Sequence, residues 1–203
     1  MNESSMEEFS KDLFSLKITL VGASSVGKTA LINQYINHTF LDNTITTIGS
    51  DKFSRIETIN NIEVKLNVWD TAGQERFRSL SPMFLKGSNI VILVYDITNK
   101  NSFEEIEHFW LDIVKENTTN FILSVAANKS DLYQKEEVNE EVGRNFAERE
   151  GAYFFITSAK NYNNTRQLFL ELAQIYIEKF GVINKKNQKA LANQKNKNSI
   201  SCC

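Results

Sequence analysis

Apolar residues fall along this chain in short runs separated by segments of helical periodicity, and the alternation predicts the elements in order. Residues 13–21, LFSLKITLV, form a first strand-like run. After a Gly- and Ser-containing stretch, the apolar positions of ALINQYI recur at helical spacing and predict a helix from residue 28 to about residue 37. Residues 38–50, HTFLDNTITTIGS, are polar and Thr-rich and read as a loop. Residues 52–59 and 62–69 flank Asn60-Asn61. In the second run Ile62, Val64, Leu66 and Val68 share one face, and Glu63, Lys65 and Asn67 the other. Two such runs joined by two Asn predict a β-hairpin, the only antiparallel pairing expected. Residues 70–89 are a long connection, and long connections in compact domains tend to carry function.

The run IVILVY, residues 90–95, has no polar face and predicts a central strand buried on both sides. A helix follows, with Ser102 and Glu105 spaced as a capping box and Phe103, Ile106, Trp110, Ile113 and Val114 along one face. Then come a strand at 121–127, a helix at 138–150, a strand at 153–157 and a helix at 164–180. That last helix turns Leu168, Phe169, Leu172, Ile175 and Tyr176 inward and stops at Gly181. Strands alternating with helices predict an α/β fold: a six-stranded, mostly parallel sheet with one antiparallel strand and helices on both faces, three layers in all. One domain is expected over residues 13–181, between a polar arm at 1–12 and a tail at 182–203.

Composition narrows this picture. With 203 residues and a net charge of −2, the chain can bury a sizeable core and has no global basic field of the kind that binds nucleic acid. No apolar stretch is long enough to span a membrane. The start, MNESSMEEFSKDLF, lacks the basic and apolar regions of a secretory signal. Both cysteines, Cys202 and Cys203, are terminal, so a disulfide framework is not expected. A cytosolic chain is the expectation.

The candidate chemistry clusters at predicted strand ends. GASSVGKT, Gly22 to Thr29, fits G-x-x-x-x-G-K-[ST] between a strand and a helix. Its glycines permit tight turning and close anion approach. Its successive N–H groups, with the helix N-terminus behind them, form an anion nest. Lys28 can reach β- and γ-phosphates, and the Thr29 hydroxyl can ligate Mg²⁺. WDTAGQ offers Asp70 to hold Mg²⁺ through water, Gly73 to give an N–H to a γ-phosphate and Gln74 to orient an attacking water. In NKSD, Asp131 can accept two N–H groups from guanine, which adenine cannot reciprocate. TSAK can bring backbone N–H groups to the guanine oxygen.

GASSVGKT, TTIG, WDTAGQERF, NKSD and TSAK, in this order, resemble the small Ras-like GTPases of the P-loop NTPase fold. WDTAGQERF with TIG and a terminal Cys-Cys is similar to the Rab family, and SLSPMF and AANKSDL to its early-endosomal branch. The resemblance implies GTP/GDP and Mg²⁺ as cofactors, held by Gly22, Ser24, Ser25, Val26, Gly27, Lys28, Thr29 and Ala30. Thr29 and Thr47 would ligate the metal, Asp70 through water. Phe40 would pack on the guanine. Asn128, Lys129, Asp131, Ser158, Ala159 and Lys160 would read and brace it. The loops around Thr47 and Gly73 would be switches ordered by the γ-phosphate. Ile48, Lys52, Trp69 and Phe84 would form the effector surface, with Lys52 a departure where the family's pattern has Phe. Expected partners are an exchange factor, a GTPase-activating protein, a GDP-dissociation inhibitor, the prenylation machinery and effectors. The tail has five lysines and no acid. Geranylgeranyl groups on Cys202 and Cys203 would anchor it to the cytoplasmic face of endomembranes, early endosomes foremost, in exchange with the cytosol. Retention of Thr47, Asp70 and Gln74 argues against a non-hydrolysing scaffold. NKSD argues against an ATP-using enzyme.

Overall fold

The computed structural model describes residues 13–40, 47, 50–71 and 81–181. The arm at 1–12, the tail at 182–203, Ile48, Gly73, Gln74, Cys202 and Cys203 lie outside the described residues. In chain order the elements are β1 (Phe14–Val21), α1 (Lys28–Asn37), β2 (Ser50–Ile59), β3 (Ile62–Thr71), α2 (Ser81–Leu85), β4 (Ile90–Asp96) and α3 (Lys100–Glu105). After a π-turn at Ile106–Trp110 come α4 (Leu111–Asn117), β5 (Ile122–Asn128), a 3₁₀ segment (Ser130–Lys135), α5 (Glu140–Arg149), β6 (Tyr153–Ile156) and α6 (Thr165–Phe180).

The six strands form one sheet in the order β2-β3-β1-β4-β5-β6. β2 pairs with β3 antiparallel, and the other neighbours are parallel. The two-Asn turn does what its composition predicts. Asn60 and Asn61 both sit at positive φ, 51° and 61°, which Asn tolerates better than most residues and which matches the twist of the strands. β4 and β5 are buried along their whole length, as a strand covered on both faces must be. Two apolar clusters lie on opposite faces of the sheet. One packs α1 and α6 onto it through Leu31, Tyr35, Leu168, Phe169 and Leu172. The other packs the α3–α4 run and α5 through Phe103, Trp110, Val114 and Phe146. Tyr35 stacks on Phe169 with ring centroids 4.2 Å apart.

One expectation is corrected. The helix after β4 begins at Lys100, with Asn99 as its cap accepting from the Ser102 N–H; it does not begin at Ser102. The Ser102 hydroxyl is used differently, accepting from the Asp96 N–H and donating to the Asn99 carbonyl. Asn99 and Ser102 are both residue types that cap helices, and the upstream one caps this helix because Ser102 also ties the end of β4. The helix then widens at Ile106–Trp110, where the Leu111 N–H reaches back to the Ile106 carbonyl. Phe103, Ile106, Trp110 and Val114 nevertheless stay on the buried side as expected, while Ile113 is only half-buried.

Candidate functional site

Because the parallel strands all run the same way, the loops after β1, β3, β5 and β6 meet along one edge, where parallel sheets bind ligands. The loop after β1 is shaped by glycine. Gly22 has φ 147° and Gly27 has φ 96°. A Cβ on Gly22 would lie 2.1 Å from the Val94 carbonyl oxygen, and one on Gly27 would lie 2.4 Å from Asn128 Nδ2. The loop therefore lies flat on the strand ends. Ser25 also takes positive φ, 65°, and Ser24 and Ser25 are exposed. Val26 is buried, and Ala30 is half-buried against the core below.

Lys28 is buried, and its ammonium donates to the carbonyls of Gly22 at 2.8 Å and Ala23 at 2.7 Å. It thus spans the hollow that a phosphate would fill. Burial lowers its pKa from 10.5 to about 8, opposed first by Asp70 and then by Glu105. Between about 8 and 10.5 the unfolded chain binds more protons than the folded one, so stability without ligand rises with pH there. The denaturant midpoint of the ligand-free protein is expected to be higher at pH 9.5 than at pH 7.5, the shift being worth about 2 kcal/mol. Lys28→Met should remove that rise; the same pH response in both proteins would dismiss Lys28 as its source.

Three segments converge beside Lys28. Thr29 at the start of α1 donates to Asp70 Oδ2 at 2.6 Å, Thr47 donates to the same oxygen at 3.0 Å, and the two hydroxyls are 3.0 Å apart. Asp70 is buried, and its other oxygen, Oδ1, has no hydrogen-bond partner among the described residues. Burial pushes its pKa up, while the hydrogen bonds from Thr29 and Thr47 and the charge of Lys28 hold it down. Two hydroxyls and a desolvated carboxylate with an orphaned oxygen are a hard-oxygen donor set, and they fit Mg²⁺, which keeps several waters and takes few protein ligands.

The loops after β5 and β6 form the other end. Asn128 is buried; its Nδ2 donates to the Val26 carbonyl at 2.8 Å, and its Oδ1 accepts from Thr157 Oγ1 at 3.2 Å. This side chain clips the phosphate-loop segment to both strand ends, so its role is bracing. Lys129 sits at φ 64° and pairs with Asp96 Oδ2 at 2.7 Å. Asp131 Oδ1 accepts from the Ser158 hydroxyl at 2.5 Å, and that hydroxyl accepts from the Asn161 N–H. Ala159 is buried, and Lys160 is exposed. Phe40 is half-buried against the main core cluster. Asp96, which pairs with Lys129, is a residue of this edge that the motifs do not single out. Asp96 ends β4, so the same strand-end logic that picked out Asp70 and Asn128 could have found it.

On the opposite sheet edge Lys52 faces Trp69 across the hairpin. The Lys52 ammonium is 5.8 Å from the Trp69 ring centroid, and Lys17 approaches to 4.8 Å. Phe84, in α2, is half-buried.

The chain matches the Ras family across residues 17–178. It is 38% identical to the Ras-related protein Rab5 of Nicotiana tabacum, over 78% of this chain and 79% of that protein. It is 37% identical to the Ras-related protein RHN1 of Nicotiana plumbaginifolia, over 83% and 84%. To the Ras-related protein Rab-5A of Dictyostelium discoideum it is 36% identical, over 80% and 81%.

Proposed function

Since this chain belongs to the Ras family of small GTPases, which bind guanine nucleotide and hydrolyse GTP, we propose that it is a Rab-type trafficking switch, anchored by its C-terminal cysteines to endosomal membranes. The convergence of Thr29, Thr47 and Asp70 from three separate segments carries the switch reading. The similarity to Rab5-type relatives supports the endosomal branch.

In this reading the N–H groups from Ser24 to Ala30 surround the β-phosphate. The Lys28 ammonium leaves its two carbonyls to neutralise β- and γ-oxygens. Thr29 and Thr47, with Asp70 through water, would hold Mg²⁺, which when bound neutralises charge on those same oxygens. Asp131 accepts two guanine N–H groups, steadied by Ser158. Phe40 and the Lys129 stem flank the base, and Ser158, Ala159 and Lys160 border the guanine oxygen. The Gly73 N–H meets the γ-phosphate, and the Gln74 amide aims the attacking water. Loss of the γ-phosphate removes the contact that Gly73 and Thr47 would share through it, leaving Thr47 its hydroxyl contacts to Thr29 and Asp70. Ile48, Lys52, Trp69 and Phe84 are the face that effectors read. The exchange factor, activating protein and dissociation inhibitor act on the loops at this edge.

Gln74→Leu removes the water-aiming amide. Single-turnover hydrolysis should slow about tenfold or more, with GTP affinity nearly unchanged. Equal rates in both proteins, with and without an activating protein, would leave Gln74 without a catalytic part.

Two lipids anchor stably where one binds reversibly, at about 0.8 kcal/mol per buried CH₂. Changing both Cys202 and Cys203 to Ser should therefore move the protein wholly to the cytosolic fraction, and changing one should leave weak binding. Membrane fractionation of the double variant decides the anchor. The location of the tagged wild-type protein decides the compartment, and a non-endosomal location would end the endosomal reading.

A further inference from the structure

β1 and β3 turn Leu16, Val64, Leu66 and Val68 toward the cluster that packs α1 and α6. The cluster on the other side of the sheet takes no residue from β2 or β3, so it leaves that face of the hairpin uncovered. On the uncovered face the register sets Lys17 of β1 beside Lys65 and Trp69 of β3 and Lys52 and Ile56 of β2. The Lys17 and Lys52 ammoniums both lie over Trp69, 4.8 and 5.8 Å from its ring centroid. Lys17 also donates to the Lys86 carbonyl at 2.8 Å, and burial lowers its pKa. Lys65 stands exposed opposite Ile56, which is 55% exposed. None of these three lysines has a carboxylate partner among the described residues. Glu63, the acid on the same face of β3, lies at the hairpin turn opposite Thr58.

A lysine on an outer strand is ordinary, which accounts for Lys52. It does not account for Lys17 and Lys65, which belong to interior strands. Their cross-strand neighbours, Asn67, Ser15 and Ile56, supply no countercharge. The segment that leads into β1 carries the opposite sign. In MNESSMEEFSKD four acids, Glu3, Glu7, Glu8 and Asp12, stand against Lys11, with Phe9 among them. The reach fits. Trp69 is level with Thr19, five residues into β1 from Phe14 and so about 17 Å along the strand. Glu7 and Glu8 precede Phe14 by seven and six residues, which extend to about 20–25 Å. A chain that reverses just ahead of β1 therefore delivers Phe9 to the level of Ile56, and the two acids to the level of Lys17 and Lys52. Exposed ion pairs are weak, but a short tether supplies an effective concentration on the order of millimolar, at which weak contacts are populated.

We propose that the N-terminal arm docks on this sheet face of its own chain, with Glu7 and Glu8 among Lys17, Lys52 and Lys65 and with Phe9 beside Ile56.

Docking so placed covers Lys52 and Trp69, and the arm then competes with effectors for them. That consequence rests on the switch reading given above; the docking does not, and its test needs no effector. A nitroxide is placed on Ser5→Cys in the full GDP-loaded chain with Cys202→Ser and Cys203→Ser, and the broadening of backbone amide resonances is read. Broadening is expected at Lys17, Lys52, Lys65 and Trp69 and not along α6. Glu7→Gln with Glu8→Gln should reduce it at least about twofold, as should Lys52→Gln with Lys65→Gln. Raising salt from about 0.1 to 1 M shortens the screening length from about 10 to 3 Å and should act in the same direction. The arm variant should bind GDP as the wild type does. A blocked synthetic peptide of residues 1–12 should bind the arm variant at least about twofold more tightly than the wild type, whose face is already occupied. Broadening that grows with protein concentration would give the face to the arm of a second copy. Equal binding of the peptide to both chains would leave it open to an acidic segment of another protein. Either result would overturn the proposal, as would broadening spread evenly over the surface or unchanged in the lysine variant.

Discussion

Asp131→Asn is expected to lower GTP affinity by about two to four orders of magnitude and to give the protein affinity for xanthosine triphosphate. The carboxylate is held from behind by the Ser158 hydroxyl at 2.5 Å, and Ser158 is itself held by the Asn161 N–H. Its orientation is therefore set by β6's loop before any base arrives. A carboxylate offers acceptors only, which suits the two adjacent N–H donors of guanine. An amide in the same place offers one acceptor and sets its own NH₂ against a guanine donor. Each hydrogen bond to a charged group is worth about 1.5–3 kcal/mol, and a buried donor left facing a donor adds its own penalty. At about 1.4 kcal/mol per decade, the loss comes to several orders of magnitude. Xanthine carries a carbonyl where guanine has its exocyclic amine, so the Asn NH₂ finds an acceptor there. Competition of each triphosphate against a fluorescent GDP analogue measures both changes. Wild type binding ATP as tightly as GTP, or a variant still preferring GTP, would remove Asp131 as the base reader.

Gly22→Ala should be the most damaging single-atom change for stability. At φ 147° an L side chain is strained in any setting. Here the added Cβ also meets the Val94 oxygen at 2.1 Å and its carbonyl carbon at 3.2 Å. These are backbone atoms of β4, which is buried along its length, so they have nowhere to move. A loss of about 3–5 kcal/mol is expected, a large share of the roughly 5–15 kcal/mol that holds a domain folded. Gly151→Ala is the control. It has φ 63° and nothing within 4 Å of its Cβ, so only backbone strain of about 1 kcal/mol applies. Urea denaturation of both variants separates steric exclusion from strain. Equal losses would show that the close approach of Gly22 to β4 does not constrain this loop.

The strands, the hairpin and the sides of the helices could be read from the chain because each rests on burial periodicity, which a sequence displays directly. Val64, Leu66 and Val68 are buried and Glu63 and Lys65 exposed, as the alternation requires. The start of α3 was less legible. Asn99 and Ser102 can both cap, and the choice between them rests on a contact from Ser102 to the end of β4 that no local pattern encodes. The π-turn at Ile106–Trp110 leaves the buried stripe almost unchanged and so leaves no trace in periodicity. At the site, the motifs single out Thr29 and Asp70 and the family resemblance adds Thr47, and the structure brings the three side chains within hydrogen-bond distance. Motif spacing could not say that Lys28 turns back onto Gly22 and Ala23, or that Asn128 spends both its amide atoms inside the protein. Those outcomes depend on which partners the fold delivers. Asp96, whose pairing with Lys129 joins two strand ends, belongs to the same class.

The sheet also has a consequence for how copies of this chain behave when crowded. Its strand order leaves β2 and β6 as the outer strands. β6, with four residues, is too short to template much pairing, whereas β2 spans ten residues, one side of its backbone facing away from β3. A flat edge of that length is where identical chains would add to one another as fibrils do. Along it the charged Asp51 and Lys52 stand exposed, and Ile56 is its one exposed large hydrophobic residue, at 55%. A second copy approaching in antiparallel register would bring these charges close while stripping their water. Colloidal stability at high concentration is thus written into the side chains of β2, in a sheet whose backbone never closes.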